Sequence, residues 1–193
     1  MQASRLRIPE IVAVTPKRHQ DRRGYFSEVF RDDWFRANVA KVAFVQENQS
    51  RSVQAGTVRG LHFQTGPAAQ AKLVRCLRGA LFDVAVDIRA GSPTFARWVG
   101  CELSEDDGRQ LWIPAGFAHG FCTLVPDTVV NYKVSAVYSP AHDKGLRWDD
   151  PAIGIDWPLI ADAGTLSEKD RNLPGLAELP EYFSHAAGEA VLS

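Results

Sequence analysis

Short apolar runs, broken at regular intervals by Gly, Pro, Asn and Asp, constrain this chain more than any other feature. The runs are Ile11–Val14, Tyr25–Phe30, Phe44–Val45, Ala71–Leu77, Leu81–Ile88, Thr94–Leu103, Leu111–Ile113 and Val129–Tyr138. Turn signals spaced about ten residues apart argue for an all-β sandwich or barrel. The run Leu81–Ile88 alternates well. Phe82, Val84, Val86 and Ile88 share one face, and Asp83 and Asp87 lie on the other. One short helix is predicted over Asp32–Asn38, with Asp32 placed to cap it. Beyond Tyr138 the pattern loosens, and Trp148–Pro151 and Ile155–Pro158 read as ordered loop. The last dozen residues are Ala-rich and read as a frayed tail. No repeat or boundary divides the chain, so residues 1–193 are one domain with a core over about 5–176.

Composition narrows the function. A net charge of −1 leaves no general electrostatic footprint for nucleic acid or an acidic membrane. There is no long apolar run for a transmembrane helix, and Met1–Pro9 lacks the apolar stretch of a secretory signal. Cys76, Cys101 and Cys122 are odd in number and not at metal-ligand spacing, which suits reduced, buried thiols in a cytoplasmic protein.

Gly108 to His119 reads G-x5-P-x-G-x2-H. That spacing resembles the second signature of the cupin jelly rolls. Their first signature reads G-x5-H-x-H, then a Glu, then a Gly seven residues after it. Gly56 leads to His62 in this register, but Gln64 replaces the second His, and Lys72, seven before Gly79, replaces the Glu. A divalent cation wants neutral or anionic donors, and an ammonium at a ligand corner repels it. No metal and no cofactor is therefore expected. A fixed cation beside a histidine suits abstraction of a proton alpha to a carbonyl, because Lys can stabilise the enolate.

Longer motifs carry a narrower resemblance. They are Asp21–Glu28, Gln46–Ser50, Val58–Gln64, Lys72–Arg75, Asp83–Arg89, Ile113–Phe121 and Leu166–Asp170. Together they resemble the dTDP-4-dehydrorhamnose 3,5-epimerase family. The resemblance implies a cupin-like jelly-roll homodimer with a few short helices. It would invert C3 and C5 of dTDP-4-dehydro-6-deoxy-D-glucose, a small-molecule nucleotide sugar, without a metal. Relatives that invert only C3 or only C5 would share the same catalytic residues.

Roles follow from alternation and from that resemblance. His62 and Gln64 share one strand face, opposite Leu61 and Phe63. A strand histidine alone is often structural, but the cupin register and family motif make His62 the general base. The resemblance makes Asp170 its partner; by itself, Asp170 reads as an exposed acid in a Ser-x-x-Asp turn. Lys72 alternates with Val74 and Cys76, and the resemblance places it near the C4 carbonyl oxygen. Val130, Tyr132, Val134, Ala136 and Tyr138 would form one face. The resemblance makes Tyr132 the acid that returns a proton to the opposite face of the sugar and makes Tyr138 a substrate-packing ring. Arg23, Phe26, Glu28, Gln46, Asn48, Arg59, His119, Asp143 and Lys169 are the implied nucleotide and sugar contacts. Arginine forks suit a diphosphate, and Phe26 could stack on thymine. Asp143 stands where the family commonly has Glu, and Phe63 where Tyr is common. The segment Ile8–Val14 is apolar enough to add a strand to a sheet edge. Arg23, Phe26 and Glu28 are candidates to complete a partner's site. Two rival classes remain: a metal-dependent cupin, opposed by Gln64 and Lys72, and a non-enzymatic sugar-nucleotide binder, opposed by the base and acid together.

Overall fold

The computed structural model describes residues 1–185. In chain order the first strands are β1 Gln2–Arg5, β2 Val12–Thr15, β3 Arg18–Asp21, β4 Gly24–Ser27 and β5 Gln46–Ser52. β6 Val58–Gln64, β7 Lys72–Arg78, β8 Ala80–Asp87, β9 Arg89–Ala90 and β10 Trp98–Ser104 follow. β11 Gln110–Ile113, β12 Phe117–Thr123, β13 Thr128–Val134, β14 Asp143–Gly145 and β15 Phe183–Ser184 complete the set. Helix α1 spans Asp32–Asn38 and α2 spans Glu168–Arg171. A six-stranded sheet runs β1-β2-β11-β7-β13-β5, and a five-stranded sheet runs β10-β8-β12-β6-β14. β3 and β4 form a separate hairpin. This is the expected all-β jelly roll with few helices.

The central core fills the space between the sheets. Val74, Cys76, Leu111, Ile113 and Val130 from the first sheet meet Leu81, Ala85, Val99, Leu103, Phe117 and Phe121 from the second. Each sheet also buries its outer face. On the first, Val12, Val14, Leu73 and Trp112 pack under Phe35 of α1, with Phe30 and Phe44. On the second, Leu61, Phe63, Val84, Val86 and Ala118 pack under the C-terminal loops, including Ile153, Trp157 and Leu179. β8 is covered on both faces, as its burial along most of its length shows. Its apolar face meets the loops, whereas Asp83 and Asp87 share the barrel-facing side with Leu81 and Ala85.

Four local expectations need correction. Asp32 is not a cap: Arg31 holds that position without a side-chain bond, and Asp32 pairs with Arg36 at 2.9 Å. β13 ends at Val134, so Tyr138 follows the strand rather than sharing its alternation. β2 is bonded on both sides, by β1 and β11, and Ile8 and Ile11 lie in the protein's own core, so the open edges of this sheet are β1 and β5. The chain stays ordered further than the frayed-tail reading allowed. Tyr182 and Phe183 pack on Phe63, and His185 N–H donates to Ala90 O at 2.8 Å. The remainder of that segment lies outside the described residues.

Candidate active site

A cavity of about 540 Å³ opens between the two sheets. β5, β7 and β13 of one sheet and β6, β12 and β14 of the other contribute to its wall, together with α2. Of the sequence-derived site residues, all line it except Arg23, Phe26 and Glu28.

His62 sits on β6, directly opposite His119 on β12. The register then slips, so that Phe121 faces Arg59. Gly60 and Gly120 occupy the slip. A Cβ on Gly60, which has φ +118°, would lie 2.7 Å from Gly120 Cα and 2.8 Å from His119 O. Only glycine permits that backbone geometry and approach, and the two histidines owe their placement to it. Ser167 caps α2 by accepting from Asp170 N–H. This turn carries Asp170 under β6, where it is buried rather than exposed. Asp170 Oδ1 lies 2.6 Å from His62 Nε2, and Gly60 N–H donates to Oδ2 at 3.3 Å. Burial pushes the Asp170 carboxyl upward, but the bonds from His62, Gly60 and Ser167 and the His62 charge outweigh it and hold it below its usual value. An anionic Asp170 orients the His62 ring through Nε2 and leaves Nδ1 with the lone pair a base needs.

Lys72 reaches the cavity from β7, on the opposite sheet. It is 7% exposed, and its ammonium donates to His62 O at 3.1 Å. Burial lowers its pKa to about 8, against the pull of Asp83 and Asp143. His119 is also buried, and its Nε2 lies 3.0 Å from both oxygens of Asp83. Asp83 was not identified from sequence as a site residue. The only signal was a carboxylate in mid-strand, on the face opposite Phe82, Val84, Val86 and Ile88.

The structure thus fills the four metal corners suggested by the sequence with His62, Gln64, Lys72 and His119. Gln64 is not free to bind a ligand. Its amide donates to Ala68 O at 2.8 Å and Val137 O at 3.3 Å, and accepts from Ser139 N–H at 2.7 Å. Among the described residues, no three His, Cys, Asp or Glu side chains are grouped to hold a metal ion. With Lys72 at the acidic corner, this donor set does not fit a divalent cation.

Tyr132 projects from β13 between Asn48 of β5 and Val74 of β7. Burial raises its phenol pKa, so it is a proton donor across the neutral range. Its sheet faces that of His62 across the cavity. Tyr138 lies at the mouth, half exposed. Its N–H donates to Gln46 Oε1 at 2.9 Å, and Gln46 Nε2 donates to Asn48 Oδ1 at 2.8 Å. Its hydroxyl donates to Asp143 Oδ2 at 3.0 Å, and the same oxygen takes Lys169 Nζ at 2.5 Å. The short arm of Asp143 therefore reaches both the strand-following segment and α2. Arg59 lines the cavity with its guanidinium held by Ser52 Oγ at 3.1 Å and Arg51 O at 3.2 Å. Arg23 and Phe26 are exposed on the β3–β4 hairpin and its turn, with Arg23 paired to Asp21 at 2.6 Å, and Glu28 follows β4. These three do not join the site within one chain.

Comparison with known proteins gives the chain's family. A family model for dTDP-4-dehydrorhamnose 3,5-epimerase matches residues 5–178. A dTDP-4-dehydrorhamnose 3,5-epimerase from Sinorhizobium fredii is 62% identical over 93% of this chain and 92% of its own length. One from Methanothermobacter thermautotrophicus is 49% identical over 89% and 92%. The crystal structure of the 3,5-epimerase from Legionella pneumophila, in complex with dTDP-4-keto-L-rhamnose, superposes with a TM-score of 0.90 at 40% identity, over 96% of this chain and 99% of that one. A 3'-monoepimerase from Streptomyces bikiniensis, in complex with dTDP-quinovose, gives a TM-score of 0.82 at 35% identity, over 90% and 87%. The matched length, the jelly roll and the cavity place this chain in the dTDP-4-dehydrorhamnose 3,5-epimerase family.

Proposed function

We propose that the enzyme converts dTDP-4-dehydro-6-deoxy-D-glucose to dTDP-4-dehydro-L-rhamnose by inverting C3 and C5, with His62 as base and Tyr132 as acid. The observation that carries this reading is the division of labour between the sheets. His62, backed by the buried Asp170, stands on one sheet, and Tyr132 and Lys72 stand on the other across one cavity. The C4 ketone acidifies both C3–H and C5–H. Nδ1 of His62 takes a proton, and the Asp170 carboxylate stabilises the imidazolium that results. The electron pair delocalises onto the C4 oxygen, and the Lys72 ammonium stabilises that enolate. Tyr132 then delivers its phenolic proton to the opposite face of the same carbon, and the configuration inverts. One base serves both centres when the ring is repositioned between the steps.

Arg59 and Lys169 supply cations for the diphosphate, and Gln46 and Asn48 present hydrogen-bonding groups beside Tyr138. Arg23, Phe26 and Glu28 project from the body of the chain, which suits residues that complete the site of a second copy in a homodimer. No described helix is long and apolar enough to cross a membrane, and we read the enzyme as cytoplasmic.

A narrower reading, inversion at C3 alone, has support in the likeness to the 3'-monoepimerase. Proton NMR of the 4-keto nucleotide sugar with enzyme in D2O separates the two. Exchange and inversion at both carbons is the expected result. Exchange and inversion at C3 alone supports the narrower reading, and no exchange at either carbon overturns both.

A further inference from the structure

The site contains a second histidine–carboxylate pair for which the reaction above has no catalytic step. His119 and Asp83 lie beside His62 and Asp170, and the two histidines are register partners across β12 and β6. Each ring meets its carboxylate through Nε2. The environments differ. The His62 side chain is 33% exposed and that of His119 is 8% exposed. Asp83 is fully buried and engages the one nitrogen with both oxygens.

We propose that Asp83 is a positioning residue that holds His119 as a neutral Nε2–H imidazole, so that its Nδ1 accepts a hydrogen bond from a sugar hydroxyl without taking the proton. A carboxylate accepts only, so the nitrogen facing it carries the hydrogen. His119 Nδ1 makes no hydrogen bond within the described residues. Among those residues no buried side-chain polar atom is left without a partner, so Nδ1 opens on the cavity that His119 lines. The charged groups facing this ring are Asp83 from β8, Lys72 from β7 and His62 from β6. Burial, Lys72 and His62 disfavour an imidazolium here and outweigh the attraction of Asp83. The two pairs thereby divide the work. The shallower one moves a proton, and the deeper one fixes the hexose by a hydrogen bond whose direction is set. Asp83 also provides the main carboxylate attraction holding the proton on Lys72. The inference rests on the epimerase reading for the identity of the ligand, but the tautomer is a property of the free protein.

Nitrogen-15 NMR of histidine-labelled enzyme without substrate tests the tautomer directly. His119 should show a protonated Nε2 and a bare Nδ1 throughout the neutral range. A doubly protonated ring or a bare Nε2 overturns the proposal, whether or not the epimerase reading stands. Asp83→Asn tests the consequence. An amide can donate to Nε2 and reverse the tautomer. The variant should lose about 10–100-fold in kcat/KM, the loss seen when a carboxylate orienting a metal-bound histidine is removed, and the alkaline limb of its pH profile should move to lower pH. If Asp83→Asn keeps the wild-type profile and the same His119 nitrogen signals, Asp83 does not position the ring.

Discussion

Replacing Lys72 with Met should abolish turnover and make the fold more stable at neutral pH. Lys72 is 7% exposed, and burial lowers its pKa from 10.5 to about 8 even with Asp83 and Asp143 attracting it. That depression corresponds to about 3 kcal/mol by which folding disfavours the charged amine relative to the neutral one. Met keeps most of the stem's packing and carries no charge, but it loses the bond to His62 O, worth about 1 kcal/mol. The variant should therefore be more stable by about 2 kcal/mol near pH 7. The pH dependence gives the sharper test. Between about pH 8 and 10.5 the unfolded wild type still binds the proton that the folded wild type has released, so wild-type stability rises through this window. The Met variant lacks this contribution, and its advantage should shrink over the same range. Urea denaturation of both proteins at about pH 7 and about pH 9.5 measures the gap. A variant less stable than wild type at the lower pH, or a gap independent of pH, refutes the reasoning. An unchanged rate of deuterium exchange into substrate refutes the assignment of Lys72 to the enolate.

Activity should survive exhaustive chelation, because Gln64 and Lys72 occupy two of the four corners a metal would need; loss in chelator, restored by one specific metal, would contradict this. Asp170→Asn should fold and bind nucleotide but lose roughly 10²–10⁴-fold in turnover, since the imidazolium loses its anionic partner; a near-normal rate would show that Asp170 merely packs. Light scattering should find a stable homodimer at micromolar concentration, and a fully active monomer would remove the role assigned to Arg23, Phe26 and Glu28.

Most of the fold was legible because its constraints are local. Turn residues fell between strands, and the register Gly56–His62 and Gly108–His119 carried two histidines to paired positions on β6 and β12. What failed depended on layers the chain adds outside the barrel. The C-terminal loops cover the apolar face of β8, so the face holding Asp83 and Asp87 turns inward. Alternation identified the two faces but could not tell which one met the barrel. Asp170 read alone as an exposed acid, because its burial depends on a capped turn folding back across β6, far away in sequence. Polar strands such as β1 and β3, whose residues are mostly exposed, left no hydrophobic pattern to follow. Arg23, Phe26 and Glu28 matched family motifs yet stay outside the cavity of their own chain. Sequence resemblance names residues without placing them in space.

The central claim is that one proton leaves toward His62 and another arrives from Tyr132 on the opposing sheet. Deuterium wash-in and inversion, followed together by NMR in D2O for His62→Ala and Tyr132→Phe, test it directly. His62→Ala should show neither, because no enolate forms. Tyr132→Phe removes one oxygen and keeps the ring, so His62 can still form the enolate and return solvent deuterium to the original face. It should show wash-in at C3 or C5 with inversion reduced by roughly 10²–10⁴-fold. Inversion at a near-normal rate in Tyr132→Phe, or exchange in His62→Ala, would contradict the account.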